Sequence, residues 1–371
     1  MFVVVNKFKK FFGKKIYNIF SVFFKNKYVK LDVAESYNKL NRVSPAPNTS
    51  CYLEASGEKR DPVSKYDLDI IIPAYNVEKY IKECINSALK QRTEYKYRII
   101  VIDDGSKDST GDILEKYKME KKMMIIHQDN KGFSGARNTG LNILDSEYVM
   151  FLDSDDFLPI DAVQKLLTCA LKNNAELVEG GYCTVSEKGK IKGEFPGKYG
   201  QLNPLTDLRG QPWGKVIKSD IFQNIRFPEQ FWYEDSIFRQ IIYPQLTKVY
   251  GIKYKVYFYR INTQGISITS VQSPKCIDSL WIYLRLYEDG KIFSIPKNID
   301  YYEYTLHIVR LTFYRTRKMN LKIKKAIFEI FAETIQKHWN GFHTRLKENE
   351  SLECALKSNN FWMYYFSLML L

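Results

Sequence analysis

The central part of the chain predicts an α/β fold, with a mostly parallel, Rossmann-like sheet and helices on both faces. Short, almost wholly apolar runs alternate there with stretches of helical periodicity, as in a parallel sheet with crossover helices. The runs lack a polar face, so both faces of the sheet should be covered by helices. Polar clusters follow one run after another, and such sheets bind ligands at the carboxyl ends of their strands.

Five strands and four helices are predicted in alternation. Strands are expected at 67–73, 97–103, 123–127, 148–152 and 176–180, and helices at 77–90, 109–118, 135–144 and 160–173. Beyond this series, residues 271–371 are rich in Tyr, Phe, Leu and Lys at helical spacings and predict a helical C-terminal region.

The polar clusters after four of the strands predict a binding site. Any one of them has an ordinary explanation as a turn or helix cap, but four at one edge of one sheet do not. The residues concerned are Pro73, Tyr75, Asn76 and Glu78 after the first strand, Asp104 after the second, Lys131 and Arg137 after the third, and Asp153 and Asp155 after the fourth.

The residue types in these clusters indicate their chemistry. Asp153 and Asp155, one residue apart after a buried strand, can share a hard divalent cation that also bridges phosphate oxygens, which predicts Mn²⁺ or Mg²⁺ as cofactor. Asp104 can accept a hydrogen bond from a base N–H. Lys131 and Arg137 suit a diphosphate. The motifs GxxxxGK[ST] and GxGxxG are absent after the first strand, which excludes those two nucleotide-binding modes.

The segments DIIIPAYN, VIDDGSKDST, KGFSGARNTG and YVMFLDSDD resemble those of family 2 glycosyltransferases with the GT-A fold. The resemblance is close over 67–182 and weaker to about 270. It implies one GT-A domain, 67–270, whose part 67–182 binds the nucleotide sugar and whose part 183–270 binds the acceptor. It also implies that Tyr75 and Asp104 contact the base, usually uracil, that Asp153 contacts ribose or metal, and that Asp155 is the main metal ligand.

The resemblance also implies inverting transfer, in which an acceptor hydroxyl displaces the nucleoside diphosphate and a base takes its proton. The pair Glu234-Asp235 lies on the acceptor side where the family places that base, and Asp235 is the candidate; a helix N-cap is the alternative. Trp213 is expected to stack on an acceptor sugar, or else to lie in the core. Arg260 is a weaker candidate for the diphosphate. The processive motif Q/RxxRW is absent, so transfer of one or a few sugars is expected.

The N-terminal residues 1–30 predict a basic amphipathic arm, because they hold eight lysines and no acid, with aromatic side chains on one helical face. Such an arm fits an anionic membrane surface; packing against the protein's own body is the alternative. Residues 31–66 are expected to be a linker. No apolar run is long enough to span a bilayer, and six scattered cysteines indicate reduced thiols. The predicted location is therefore cytoplasmic, peripheral on the inner face of the cell membrane.

These features together predict a metal-dependent transferase that moves a hexosyl or N-acetylhexosaminyl group from a nucleotide-sugar donor to a glycan or glycolipid acceptor, with a UDP-sugar as the expected donor. The alternatives are a sugar nucleotidyltransferase and a non-catalytic glycan-assembly protein with a degenerate transferase domain. The net charge of +14 comes mostly from the arm, so no nucleic-acid partner is expected. The helical region 271–371 could pack on the sheet, hold the acceptor or mediate a homodimer.

Overall fold

The computed structural model describes residues 30–54, 64–262 and 273–369. The described residues divide into two units. One unit comprises those between Pro47 and Gly265 together with Leu284–Ile295. The other comprises those up to Ala46, those from Ser273 to Tyr283, and those from Pro296 onward. The predicted arm lies outside the described residues except for Lys30.

The larger unit is built on one nine-stranded sheet of order β3-β2-β1-β4-β8-β5-β9-β7, with β6 paired to β5. Its strands are β1 Tyr66–Ala74, β2 Tyr97–Asp103, β3 Met123–His127, β4 Ser146–Phe151, β5 Leu177–Val185, β6 Ile191–Phe195, β7 Gly200–Gln201, β8 Lys215–Lys218 and β9 Val249–Arg260. The first four strands are parallel neighbours, with Ile71 paired to Ile100 on one side and to Phe151 on the other.

Helices cover both faces of the parallel strands, which confirms the predicted α/β fold. They are α2 Ile81–Leu89, α3 Thr110–Glu115, α4 Gly132–Asn142 and α5 Ala162–Lys172. Ile70 and Ile72 pack in one apolar cluster with α2 and α5, while Ile100 and Ile102 pack on the other face with Ala136 of α4. Because successive strand residues point to opposite faces, burial on both sides explains why the strands read as unbroken apolar runs.

The second half of the sheet is mixed, and this departs from the mostly parallel sheet expected. Strand β8 lies between β4 and β5 and is antiparallel to both, whereas β5 and β9 run parallel. The short strand β8 comes after a long stretch without strands, and no helical crossover precedes it as one precedes β2 and β4. A parallel arrangement needs such a crossover, so its absence accounts for the reversal.

The helical unit contains α1 Val33–Val43, α7 Ile299–Arg315, α8 Leu321–His338, α9 Glu350–Lys357 and α10 Phe361–Met369; α6 spans Asp278–Ile292. Part of the expected linker is thus helical, because α1 lies within 31–66. Asp32 caps α1 by accepting from the Glu35 amide, and Tyr37 stacks on Trp281 at 5.7 Å. Among the described residues, no helix has the length and apolar character that crossing a bilayer requires.

Candidate active site

The loops after β1 and β2 lie at the same sheet edge and are tied together by side chains. Ala74 and Asp103 are paired across the two strand ends, and Pro73 pairs with Ile102. The Asn76 side chain accepts from the Lys107 amide at 2.7 Å. Glu78 accepts from the Ser109 amide at 3.0 Å at the start of α3. Asn76 and Glu78 thus fix these loops, and the expected contact of their exposed side chains with a nucleotide stays a prediction.

Asp104, directly after β2, is 2% exposed, and its two carboxylate oxygens differ in their hydrogen bonding. Its Oδ1 accepts from Gln128 Nε2 at 2.6 Å and from the Lys131 amide at 2.8 Å. Its Oδ2 is buried and has no hydrogen-bond partner among the described residues. An unsatisfied buried acceptor is costly, so a hydrogen bond from an N–H donor to this oxygen would be stabilising. Tyr75, after β1, is 47% exposed, and the Lys131 side chain is exposed as well.

The turn after β4 is held by Asp156, by Tyr257 and by the backbone of Arg260, and the sequence predicted no such role for these residues. Asp156 is buried, and its Oδ2 accepts from the Tyr257 hydroxyl at 2.8 Å. That hydroxyl in turn accepts from the Asp153 amide at 3.1 Å. The Asp156 Oδ1 accepts from the Arg260 amide at 2.6 Å. The only sequence signal for Asp156 was a third acid in the run DSDD, where a solvent-facing role was equally compatible.

Three carboxylates thus share one short turn, and burial together with the neighbouring charges raises the pKa of two of them, Asp155 and Asp156. Burial first, and then the charge of Asp153, raise the pKa of Asp155 above its ordinary value. Burial and both neighbouring carboxylates raise the pKa of Asp156 as well. A divalent cation would relieve this repulsion, because like charges in a poorly solvated site disfavour ionisation. The all-oxygen donor set fits Mn²⁺ or Mg²⁺.

Among the described residues, Asp153 and Asp155 each have one carboxylate oxygen for which no hydrogen bond is seen. Arg137 donates a hydrogen bond to Oδ1 of Asp153 at 2.8 Å. Asn262 donates a longer hydrogen bond to Oδ2 of Asp155, at 3.3 Å. Within the described ranges, no cluster of three or more His, Cys, Asp and Glu side chains has the arrangement of a metal site. A cation here would therefore need further oxygens from a ligand, such as a diphosphate.

Arg260 supports the turn instead of facing a diphosphate, which corrects the weaker expectation for this residue. It is 2% exposed. Its Nε donates to the Asp155 carbonyl at 2.8 Å, and its Nη2 pairs with Glu83 at 2.6 Å. Its Nη1 donates to the carbonyl of Glu187 at 2.5 Å. With these groups engaged inside the protein, the guanidinium anchors the turn's backbone.

Arg137 joins the two halves of the site through a buried bridge. It lies on α4, is 5% exposed, and pairs with Asp153 at 2.8 Å and with Glu234 at 2.5 Å. Both residues were expected to face ligands, Arg137 the diphosphate and Glu234 the acceptor, and the structure pairs them with each other. Burial raises the pKa of Glu234 to about 7; the nearby Arg137 opposes this rise and the charge of Asp235 adds to it.

The loop that carries Asp235 has a strained backbone. Tyr233 adopts φ +65°, a conformation that a bulky side chain rarely adopts, directly before Glu234. Asp235 is partly exposed, and its carbonyl accepts from the Phe238 amide as the π-helical turn Phe238–Ile242 begins. Since Glu234 reaches Asp153 through Arg137, the next residue, Asp235, lies close to the same bridge. Such strain tends to collect at functional sites.

Trp213 belongs to the core, which corrects the expectation that it stacks on a sugar. It is 5% exposed. Its ring stacks on Tyr257 at 4.5 Å and on Tyr259 at 5.4 Å, and it meets Tyr182 edge-on. Its contact with Tyr257 places Trp213 behind the tyrosine that holds the turn after β4. A bulky aromatic before a short strand is compatible with either role, and only the tertiary structure decides between them.

Comparison with known proteins finds a family model that matches the part of the chain carrying this edge of the sheet. The model of glycosyl transferase family 2 matches residues 69–218. Glycosyltransferase GlyA of Streptococcus pneumoniae is 31% identical over 218 residues, which are 54% of this chain and 31% of that protein. A poly(ribitol-phosphate) beta-glucosyltransferase of Bacillus spizizenii is 29% identical over 220 residues, 56% of this chain and 34% of that protein. The chain thus matches about a third of the length of each.

A solved structure shares the fold. The structure of S. aureus TarS 1-349 in complex with UDP-GlcNAc matches with a TM-score of 0.65 at 18% sequence identity, over 82% of this chain and 90% of that one. At this identity the likeness is one of fold, and it extends beyond the residues that the family model matches.

Proposed function

Because the model of glycosyl transferase family 2 matches residues 69–218, we propose that the chain is a member of this family. It would transfer one or a few sugars, with inversion, from a UDP-sugar to a hydroxyl of a cell-surface glycan. The observation that carries the proposal is the buried Oδ2 of Asp104, which has no partner among the described residues and accepts hydrogen bonds only. The nucleotide base would occupy the position that this oxygen faces, with Tyr75 at the rim.

Asp153 and Asp155 would hold Mn²⁺ or Mg²⁺. The bound cation would neutralise charge on the diphosphate leaving group. The chain's own contribution is rigidity: Asp156, Tyr257 and Arg260 fix the backbone of the turn so that these carboxylates keep their orientation. Arg137 holds Asp153 by one oxygen and leaves the other free for ribose or metal. Lys131, whose side chain is exposed, is the remaining cation for the diphosphate.

Asp235 is the proposed base. In a direct displacement the acceptor oxygen forms a bond to the anomeric carbon while the bond to the diphosphate oxygen breaks, and the hydroxyl proton passes to the Asp235 carboxylate. Such a base must be ionised before the reaction and must lie near the acceptor. The buried Glu234, paired with Arg137, would hold the loop so that Asp235 faces the sheet edge.

The acceptor class comes from the relatives. One relative is named a poly(ribitol-phosphate) beta-glucosyltransferase, and a TarS structure holds UDP-GlcNAc. These names support a surface glycan or a glycolipid precursor as acceptor and a UDP-sugar as donor. The proposed location is the inner face of the cell membrane, with the basic residues 1–30 lying on anionic lipid. A homodimer through the helical region 271–371 remains part of the proposal.

The test of the activity is a panel of UDP-sugars incubated with Mn²⁺ or Mg²⁺ while UDP release is measured. We expect one or two donors to be hydrolysed or transferred, and Asp155→Asn to lose this activity and metal-dependent UDP binding. Asp161→Asn is the matched control, because Asp161 is 41% exposed and pairs with Lys165 at the surface. Absence of metal-dependent nucleotide binding with every donor would contradict the proposal.

The membrane proposal has its own experiment. Full-length protein and a variant that lacks residues 1–30 are spun with vesicles of anionic lipid and with vesicles of neutral lipid. We expect only the full-length protein to sediment, only with the anionic vesicles, and less at high salt, because the attraction is electrostatic. Equal sedimentation of both proteins would reject a role for the arm.

A further inference from the structure

Gln128 makes contacts that the proposed chemistry does not use. It follows β3, and its amide N–H donates to the Asp103 carbonyl at 3.0 Å, which fixes its backbone. Its Nε2 donates to Asp104 Oδ1 at 2.6 Å. Its Oε1 accepts from the hydroxyl of Thr139, on α4, at 2.6 Å. Gln128 therefore connects helix α4 to the carboxylate in the base pocket.

The orientation of the Gln128 amide is dictated by its partners. An ionised carboxylate only accepts hydrogen bonds, so the NH₂ end of the amide must face Asp104. The carbonyl end then faces Thr139, whose hydroxyl can donate. Reversing the amide would set two acceptors against each other at 2.6 Å. The hydrogen-bond polarity of the pocket is thus fixed by Asp104 and Gln128. The single proton of the Thr139 hydroxyl has two acceptors, Gln128 Oε1 at 2.6 Å and the Gly135 carbonyl at 3.1 Å.

This polarity bears on which base the pocket accepts. Gln128 and the Lys131 amide both hold Oδ1 of Asp104, so the carboxylate cannot turn and Oδ2 stays in one place. Uracil presents an N–H donor at N3. Cytosine presents a lone pair there, and its nearest donor is the exocyclic amine, displaced to one side. A fixed Oδ2 meets the uracil donor, whereas a carboxylate free to rotate could also reach the cytosine amine.

We infer that Gln128 is a positioning residue which, by immobilising Asp104, makes the pocket select uridine over cytidine nucleotides. The inference rests on the proposed function, since it needs a nucleotide to occupy this pocket. UDP and CDP are a matched pair of probes, because they differ only in the base edge that Asp104 would meet.

The test compares UDP and CDP binding by calorimetry, with metal present, in the wild type, Gln128→Met and Thr139→Val. Methionine keeps the length of the side chain and removes its hydrogen bonds. We expect the wild type to prefer UDP and Gln128→Met to lose about tenfold in UDP affinity and about tenfold in the UDP-to-CDP ratio, as for the loss of a hydrogen bond to a charged group. Thr139→Val should act in the same direction by less.

Gln164→Met is the matched control. The Gln164 side chain also accepts from a threonine hydroxyl, that of Thr93 at 2.9 Å, and donates to a carboxylate, that of Glu94 at 2.9 Å, but it does so on α5 at the surface. Its UDP-to-CDP ratio should equal that of the wild type. In turnover, Gln128→Met should raise KM for the UDP-sugar and leave kcat within about twofold, because Asp104 acts in binding.

The outcomes separate the two proposals. A folded Gln128→Met protein with an unchanged UDP-to-CDP ratio overturns the inference, even if its affinity for both nucleotides falls. If that variant fails to fold, the UDP-to-CDP ratio of Thr139→Val tests the inference in its place. A wild type that binds UDP and CDP equally also overturns the inference and leaves the transferase proposal standing, whereas a wild type that binds neither contradicts both.

Discussion

The proposed base pocket around Asp104 and the loop that carries Glu234 and Asp235 are built in different ways. The pocket is made where parallel strands end, from side chains close to those strand ends, and it keeps one acceptor oxygen ready. The described contacts of the loop include a buried ion pair between Glu234 and Arg137, and its Tyr233 backbone is strained. We therefore expect the strand ends to keep the pocket around Asp104 rigid, and the position of the loop to depend on individual contacts.

The largest effect is expected from Asp235→Asn, which tests whether the loop serves chemistry and the pocket serves binding. The amide cannot take the acceptor proton, so kcat should fall by about 10³-fold while the dissociation constant for UDP stays near that of the wild type. Steady-state transfer assays and UDP titration measure the two. The exposed Asp220, replaced by Asn, is the control for a charge change in the same unit. Equal loss of UDP binding would remove Asp235 from the role of base.

The next effect concerns the bridge that holds the loop. Glu234→Ala leaves the buried Arg137 with a single carboxylate, and breaking a buried ion pair on one side costs about 3 kcal/mol. Urea unfolding should show this loss of stability. Glu288→Ala removes a pair with Lys291 in which both side chains are more than half exposed, and it should change stability by less than about 0.5 kcal/mol. Similar values for the two variants would mean that the bridge does not hold the loop.

A smaller effect is expected in the pocket from Gly105→Ala. Gly105 has φ +74°, and a Cβ there would lie 3.1 Å from the Asn130 amide nitrogen and 3.2 Å from the Gln128 carbonyl. We expect a loss of about 1–2 kcal/mol of stability and weaker UDP binding, because both the backbone conformation and these contacts are disturbed.

Gly189→Ala separates the two causes in Gly105→Ala. Gly189 has φ +77° and nothing within 4 Å of an added Cβ. Alanine at this position therefore has the cost of the backbone conformation without a steric clash. We expect it to lose stability by a similar amount and to keep the UDP affinity of the wild type. If Gly105→Ala also keeps that affinity, the pocket tolerates movement of the loop between β2 and α3 and is less rigid than its contacts suggest.

The difference between the two regions also explains what the sequence could predict. The first strand was expected at 67–73 and spans Tyr66–Ala74, because an apolar run and its flanking polar residues are local signals. The cluster at the strand ends followed from the topology of parallel sheets. The bridge from Arg137 to Glu234 joins residues 97 positions apart, and nothing local distinguishes it from a phosphate contact. The core position of Trp213 depends likewise on tyrosines in β9.

The smallest effect concerns His127, at the end of β3 beside the pocket. Its Nδ1 lies 2.8 Å from Asp103, and this hydrogen bond, together with one to Glu115, raises the pKa of His127 despite partial burial. A raised pKa in the folded state means that the stabilisation is fully present below the unfolded pKa of about 6.5 and is lost as the pH rises through the folded value. The imidazole is 45% exposed, so solvent screening should limit the contribution to about 0.5 kcal/mol.

We therefore expect His127→Gln to be less stable than the wild type in urea unfolding, with a larger loss of stability at pH 5.5 than at pH 9. If the difference in free energy of unfolding between the two proteins is the same at both pH values, the charge of His127 does not stabilise this side of the pocket. The rigidity of the pocket would then come from the strand ends alone.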